Sequence, residues 1–201
     1  KVFLFEAMTT QYLENYNKIR ELLPRIGRVK LVQCNFNQYS SRYDAFCAGE
    51  TPVSFDPECA GGALMDLNVY NISYIVGLFG EPNQVHYLPN MERGIDTSGI
   101  LILEYPNFVC QCTAAKDSSA HNSAQIIGTE GSILIEPGSN NCQKLVVTRK
   151  GKEPYISEIS DTPWWFEVLG ISNFLIVPQD AVKERRIRAM RSAVAVLEAA
   201  R

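Results

Sequence analysis

Between residues 83 and 158 the chain reads as short strands and turns throughout, and that stretch decides what it can fold into. Strands are predicted over Val85–Leu88, Gly99–Tyr105, Phe108–Ala114, Ser123–Ile127, Ser132–Ile135 and Leu145–Thr148, punctuated by Pro106-Asn107, Gly128 to Gly131 and Pro137-Gly138. Short apolar runs separated by turn residues predict an antiparallel meander. Ahead of it, Val2–Phe5 reads as a buried strand and Val29–Phe36 as a half-buried one. Gln11–Leu23 carries Tyr12, Tyr16, Ile19, Leu22 and Leu23 at helical spacing and stops at Pro24. A second helix runs from about Gly61 to Phe79, closed by Gly80 and Pro82. Behind the meander, Pro163 opens a helix to about Val177. A last helix follows, with Ile187, Met190, Val194 and Leu197 as its apolar seam and Lys183, Arg185, Arg186, Arg188 and Arg191 as a solvated face. Strands in a run with helices around them predict an α+β domain. The sheet is open and mostly antiparallel, of about six or more strands, with helices packed on one face.

Composition narrows the function. With 201 residues, 46% of them hydrophobic, the chain can bury about 70% of its unfolded surface without a disulfide or metal staple. A net charge of −3 argues against a nucleic-acid or anionic-membrane partner. No run approaches the ~18 apolar residues of a membrane span. The chain starts Lys1-Val2-Phe3-Leu4-Phe5, inside a strand, with neither an initiator Met nor a signal peptide. Six cysteines without a secretory segment predict reduced core thiols in a cytoplasmic protein; Cys110 and Cys112 share a strand face and lack the second pair of a zinc ribbon. Two histidines, His86 and His121, exclude a His-rich zinc site, and no metal is expected. Neither a G-x-G-x-x-G turn nor a phosphate loop is present, so no nucleotide-binding loop is expected in this chain.

One constellation carries chemistry. In Gly61-Gly62-Ala63-Leu64-Met65-Asp66-Leu67-Asn68-Val69-Tyr70, the carboxylate of Asp66 and the phenol of Tyr70 lie four apart and share a helix face. On so apolar a helix a carboxylate is costly unless it is paired or opens into a polar cavity. Gly61 and Gly62 allow a backbone or a ligand to come close, and a helix N-terminus favours anionic or hydroxyl-rich ligands. The residues alone leave two readings open: a site, or a dipole-compensating Asp66 with Tyr70 packed in the core. The loop 37–58, with Tyr39, Arg42, Tyr43, Asp44, Phe46 and Phe55, is longer than ordinary connections and suits a binding loop. Arg42, Tyr43 and Tyr39 are candidates to line a pocket, although an arginine among aromatics equally serves as a loop anchor.

Gly61-Gly62-x-x-x-Asp66-x-x-x-Tyr70 resembles the substrate-side motif of the Gfo/Idh/MocA oxidoreductase family, in which a Gly-Gly pair precedes Asp and then His or Tyr. Phe5-Glu6-Ala7-Met8, Ile26-Gly27-Arg28-Val29, Gly128-Thr129-Glu130-Gly131-Ser132-Ile133 and Phe166-Glu167 look like further stretches of it, in family order. The resemblance implies a C-terminal α+β domain whose N-terminal Rossmann partner binds NAD or NADP. The Rossmann glycines and the Glu-Lys-Pro motif are missing here; Lys152-Glu153-Pro154 has the wrong order. Residues 1–10 then correspond to the end of the last Rossmann strand and its crossover, and 11–201 to the substrate-binding and oligomerising domain. By this resemblance Asp66 and Tyr70 are catalytic candidates, Gly61, Gly62, Arg42 and Tyr43 substrate-binding ones, and the substrate is a sugar, polyol or cyclitol oxidised or reduced at a CH–OH carbon. Tyr70 stands where His is commoner; a phenol titrates near ~10 and suits hydrogen bonding better than base work at neutral pH. The sheet face is expected to join subunits in a homo-oligomer, and the fragment alone to be inactive. The alternatives are a non-catalytic dimerisation or sugar-binding module, and an NAD-dependent glycoside hydrolase of the same family.

Overall fold

The computed structural model describes residues 8–159 and 180–201. The expected strand Val2–Phe5 and helix Pro163–Val177 lie outside the described residues, as do Phe166-Glu167 and all of Phe5-Glu6-Ala7-Met8 except Met8. Alternation of apolar and polar residues produces eight strands among the described residues: β1 Val29–Asn37, β2 Gln84–Glu92, β3 Ile95–Glu104, β4 Val109–Ala115, β5 Ser123–Gly128, β6 Gly131–Glu136, β7 Lys144–Arg149 and β8 Lys152–Glu158. They form one sheet in the order β2-β3-β4-β1-β5-β6-β7-β8. The α+β class with an open, mostly antiparallel sheet is therefore what the chain adopts.

The meander is interrupted, however. β1 inserts between β4 and β5, parallel to β4 (Cys34 opposite Cys112) and antiparallel to β5 (Cys34 opposite Ala124). Strand periodicity specifies which face is buried but not which edges pair, so this insertion left no mark in the sequence pattern. β2 and β3 are also longer than expected, because Arg93 and Gly94 both take positive φ (49° and 84°) and close a two-residue hairpin. Pro89 is tolerated within β2 because that strand is an edge.

The inward side chains of the sheet, among them Val32, Cys34, Leu101, Leu103, Cys110, Cys112, Ile126, Ile133 and Leu145, are buried under three helices: α1 Glu14–Leu22, α3 Val69–Phe79 and α4 Asp180–Ala200. α1 contributes Tyr16, Ile19 and Leu22, and α3 contributes Ile72, Tyr74, Ile75 and Val76. Single-turn segments Thr9–Tyr12 and Leu23–Ile26 flank α1, so the expected 11–23 helix is shorter and split. In α4 the seam differs from expectation. Ala189, Ala193, Val196 and Leu197 are buried whereas Val194 is 49% exposed, because small alanines let this helix press closely against its neighbour. Arg186 is not simply solvated either: its guanidinium stacks 4.0 Å from the Tyr12 ring.

Buried polar groups pin these layers together. Asn15 Nδ2 donates to the carbonyls of Cys142 and Gln143, both at 2.9 Å. Ser139 Oγ donates to Asn71 Oδ1 at 2.6 Å, and Asn71 Nδ2 to Thr113 O of β4 at 3.2 Å. Tyr16 Oη donates to Tyr74 O at 3.1 Å, and burial pushes its phenol up to about 12. All six cysteines are free thiols; Cys34, Cys110, Cys112 and Cys142 are core residues as expected, but Cys47 and Cys59 are exposed. On the outer sheet face Gln33 lies opposite Gln111 and Gln125, flanked by exposed Leu31, Ile100, Val109 and Ile156.

Candidate functional site

At the end of β1 the chain leaves the sheet and makes the long loop, which carries the five-residue helix α2 Tyr43–Cys47 and two single turns at Val53–Phe55 and Pro57–Cys59. A satellite core of Phe46, Phe55 and Ile95, with Tyr43 against it, holds the loop in place. The Phe46 and Phe55 rings stack at 4.7 Å. Arg93, at the tip of the β2–β3 hairpin, clamps the loop backbone from outside. Its guanidinium donates to the carbonyls of Phe46, Gly49 (3.0 Å) and Glu50 (2.8 Å) and lies over the Phe46 ring.

The loop delivers the chain to the glycine pair. Gly61 donates its N–H to Asp56 O at 2.9 Å, and a Cβ there would stand 2.7 Å from Asp56 N. Gly62 has φ +99° and a side chain on it would collide with Asp96. Asp96 caps the helix that follows: its Oδ2 accepts from Leu64 N and from Tyr87 Oη, both at 2.6 Å. Burial and this bond together push the Tyr87 phenol well above its ordinary range. The close approach foreseen for the glycines is thus made by backbone at Gly61 and by Asp96 at Gly62. The helix N-terminus expected to attract an anionic or hydroxyl-rich ligand is already filled by the protein's own carboxylate.

The helix opens with a π turn, Leu64–Asn68, before α3 continues it. π turns are frequent at functional sites. Asp66 sits in this turn, and its cost is met in both of the ways expected of it. Oδ2 accepts from Lys116 Nζ at 2.5 Å, while the carboxylate, 47% exposed, borders a cavity of about 660 Å³. Lys116, at the end of β4, is 1% exposed. Its ammonium also donates to Ser54 O at 2.5 Å and lies 4.5 Å from the centre of the Phe55 ring. Oδ1 of Asp66 receives no hydrogen bond from the described residues. The cavity is walled by the loop from Glu50 to Ser54 and by Arg42, Cys59 and Gly61. Charged Arg42, Glu50 and Asp66 with the hydroxyl of Thr51 make it a place for a polar, hydroxyl-bearing molecule.

Of the residues expected in a site, the structure brings Asp66, Gly61 and Arg42 together around this cavity and leaves Tyr43, Tyr39, Gly62 and Tyr70 out of its lining. Tyr43 is a loop anchor: its hydroxyl donates to both oxygens of Glu92 at 2.9 Å, and burial with that bond raises its phenol. Tyr39 bonds Asp44 at 2.6 Å. Tyr70 is half-buried with its ring edge-on to Phe36, 5.6 Å between centres. Sequence reasoning missed Lys116 and Asp96. Lys116 follows Thr113-Ala114-Ala115 at a strand end, where a lysine ordinarily reads as solvated; the signal was the excess of small residues there, which leaves room for its stem. Among the described residues no group of three His, Cys, Asp or Glu could hold a metal ion, and no helix is long and apolar enough to cross a membrane.

Residues 16–134 match the GFO/IDH/MocA C-terminal domain family. The chain is 39% identical over 138 residues to the scyllo-inositol 2-dehydrogenase (NADP(+)) IolU of Bacillus subtilis, covering 67% of this chain and 42% of that protein. It is 35% identical over 154 residues to the oxidoreductase YgjR of Escherichia coli, covering 76% of this chain and 47% of that one. It therefore spans about half the length of the curated relatives it matches. A 3-ketoreductase from Actinomadura kijaniata, solved with NADP and TDP-benzene, shares the fold with a TM-score of 0.76 at 16% identity, over 100% of this chain and 63% of that one. An oxidoreductase from Thermotoga maritima does so with a TM-score of 0.73 at 17% identity, over 97% and 58%. The glycine pair with its Asp66, the sheet with its covering helices and these matches agree: the chain is a C-terminal domain of the GFO/IDH/MocA oxidoreductase family.

Proposed function

We propose that this chain is the substrate-binding half of an NAD(P)-dependent oxidoreductase acting on a CH–OH group of a cyclitol, sugar or polyol. The observation that carries the reading is the Asp66 carboxylate, held at Oδ2 by Lys116 and bordering a polar cavity. A carboxylate so placed accepts a hydrogen bond from a substrate hydroxyl and orients the carbinol carbon. Arg42, Glu50 and Thr51 offer partners for the other hydroxyls. Tyr70 lies beside Phe36, one turn beyond Asp66 and outside the cavity's own lining, so its proposed part is a hydrogen bond to a substrate that extends past the cavity wall, and not base work. The inositol dehydrogenase relative supports the substrate class, and the NADP-bound ketoreductase fold supports the cofactor. The N-terminus of the helix that carries Asp66 is not open to a dinucleotide's phosphates, because Asp96 occupies it. The nicotinamide, held by another domain of the whole protein, supplies the hydride acceptor or donor. On this reading residues 1–10 correspond to the remnant of that domain's last strand and the crossover from it, 11–201 form the substrate domain, and this chain alone is inactive. Two further proposals accompany it: subunits join through the outer sheet face, whose amide centre and apolar flanks suit a second copy, and the protein works in the cytoplasm, a reading that its free thiols support.

The test is turnover by the full-length protein with NAD or NADP, followed by nicotinamide absorbance on cyclitols, sugars and polyols. Wild-type turnover that is lost in Asp66→Asn and reduced in Tyr70→Phe supports the assignment. Unchanged turnover in both variants removes it, and inertness toward every member of the set with both cofactors refutes the proposed reaction. Product release without net change in nicotinamide absorbance indicates the glycoside hydrolase chemistry instead.

A further inference from the structure

We infer that Lys116 is the positioning residue of this site, its buried ammonium locking Asp66 to the loop so that only Oδ1 is offered to a substrate. The inference rests on the reading of Asp66 as the substrate-contacting carboxylate. Three observations lead to it. The side chain is buried almost completely, 2% exposed against 47% for Asp66, so the cation lies beneath the carboxylate and does not itself reach the cavity. Its donors are directed at two different walls of the cavity, Oδ2 of Asp66 on the helix and the carbonyl of Ser54 on the loop, both at 2.5 Å. Its backbone is pinned on both sides, the N–H donating to Thr97 O and the carbonyl accepting from Ser40 N, each at 2.8 Å. The stem therefore has little freedom, and the ammonium fixes both the tilt of the carboxylate and the separation of loop from helix.

Stability alone does not explain such a group. A buried ion pair is weak evidence for stabilisation, and an apolar side chain of the same shape usually fills the space as well. A methionine here would keep the stem packed on Phe55 and leave Asp66 free to swing into solvent. What the lysine adds is orientation of one oxygen pair, and orientation is what a hydride transfer from a carbinol carbon requires of the group that holds its hydroxyl.

The experiment uses the full-length protein with scyllo-inositol and the other cyclitols, sugars and polyols as probes. In Lys116→Met, kcat falls on the order of 10²-fold, while KM moves much less and the thermal midpoint stays close to wild type. In Lys116→Ala, added butylammonium restores part of kcat, which a purely structural lysine would not allow. A Lys116→Met enzyme with wild-type kcat and KM, beside an inactive Asp66→Asn, overturns the inference and leaves the proposed function standing. A loss of activity that only tracks loss of folded protein, with no response to butylammonium, overturns it as well. If Lys116→Met does not fold, Lys116→Arg decides. It keeps the charge but pushes its donors past Ser54, so unaltered kcat and KM in the folded variant overturn the inference. An active Asp66→Asn, or a wild-type enzyme inert to every probe, is a failure of the proposed function itself.

Discussion

Replacing Gly62 by alanine tests whether the glycine pair is scaffold or ligand contact. Gly62 has φ +99°, and a methyl there would occupy the position of Asp96 Oδ1. The backbone strain is worth about 1–2 kcal/mol for a residue with a Cβ. Displacing Asp96 also removes the cap on Leu64 N, worth about 1 kcal/mol. The loss is therefore about 2–3 kcal/mol, and for a chain of this size it lowers the thermal midpoint by about 5–10 °C. Gly49 supplies the control, because it too has positive φ (+102°) but nothing stands within 4 Å of the position its Cβ would take. Gly49→Ala shows the strain alone, and Asp96→Ala shows the cap together with the bond from Tyr87. Thermal unfolding followed by circular dichroism, with urea titration as a second measure, reads all three variants. If Gly62→Ala loses no more than Gly49→Ala, Asp96 does not crowd Gly62, and the scaffold assignment of this glycine is wrong.

Thiol alkylation of the native protein at pH 8 labels Cys47 and Cys59 rapidly and the four core thiols only on unfolding, as mass spectrometry will show. The charge of Asp56, 3.7 Å from the Cys59 sulfur, raises that thiol, so Asp56→Asn speeds alkylation of Cys59. Tyr16 is held neutral to about pH 12 in the folded chain, whereas an unfolded tyrosine ionises near 10. Its contribution to stability is complete below pH 10 and is lost as pH rises to about 12; urea midpoints across that range fall less steeply in Tyr16→Phe. Tyr43→Phe removes the bonds to Glu92 and lowers the urea midpoint while leaving KM for the substrate unchanged, since the ring anchors the loop outside the cavity. A raised KM in that variant contradicts this placement.

The architecture was legible because burial on one sheet face writes a period of two into the chain. β4 reads Cys110, Cys112 and Ala114 inward, and β6 reads Ile133 and Ile135 inward, as alternation predicts. Two of the weak family stretches turn out to touch. Glu130 N donates to Ile26 O at 2.9 Å and Thr129 N to Arg28 O at 3.0 Å. Gly128 leaves room for the Ile26 carbonyl, so Ile26-Gly27-Arg28-Val29 and the Gly128–Ile133 hairpin are two sides of one junction. Pairing was not legible. β1 finds its place between β4 and β5 through small inward residues on both neighbours, Cys112 and Ala124, and that is complementarity between segments far apart in the chain, Cys34 with Cys112 on one side and with Ala124 on the other. The Arg93-Gly94 turn was hidden for a similar reason. An arginine at positive φ has no local signature when the loop carbonyls that hold it come from Phe46, Gly49 and Glu50.

The site divides along the same line. Asp66 could be singled out because a carboxylate on an apolar helix requires an explanation wherever it occurs, and the requirement is local. Its explanation is not local: the pairing lysine lies 50 residues away at the end of another strand. No helical or strand periodicity links the two, and a lysine after two alanines looks like any solvated strand end. The same distance explains why Gly62 looked like a ligand contact, since the acid that fills its space, Asp96, belongs to β3. What the sequence displays is therefore the group exposed to the cavity, and what it hides is the support behind that group. The direction of Asp66 depends on Lys116, Ser54 and Asp96 arriving from three separate segments, so substitutions in those segments are expected to alter kcat without changing any residue that lines the cavity beside the substrate except Ser54.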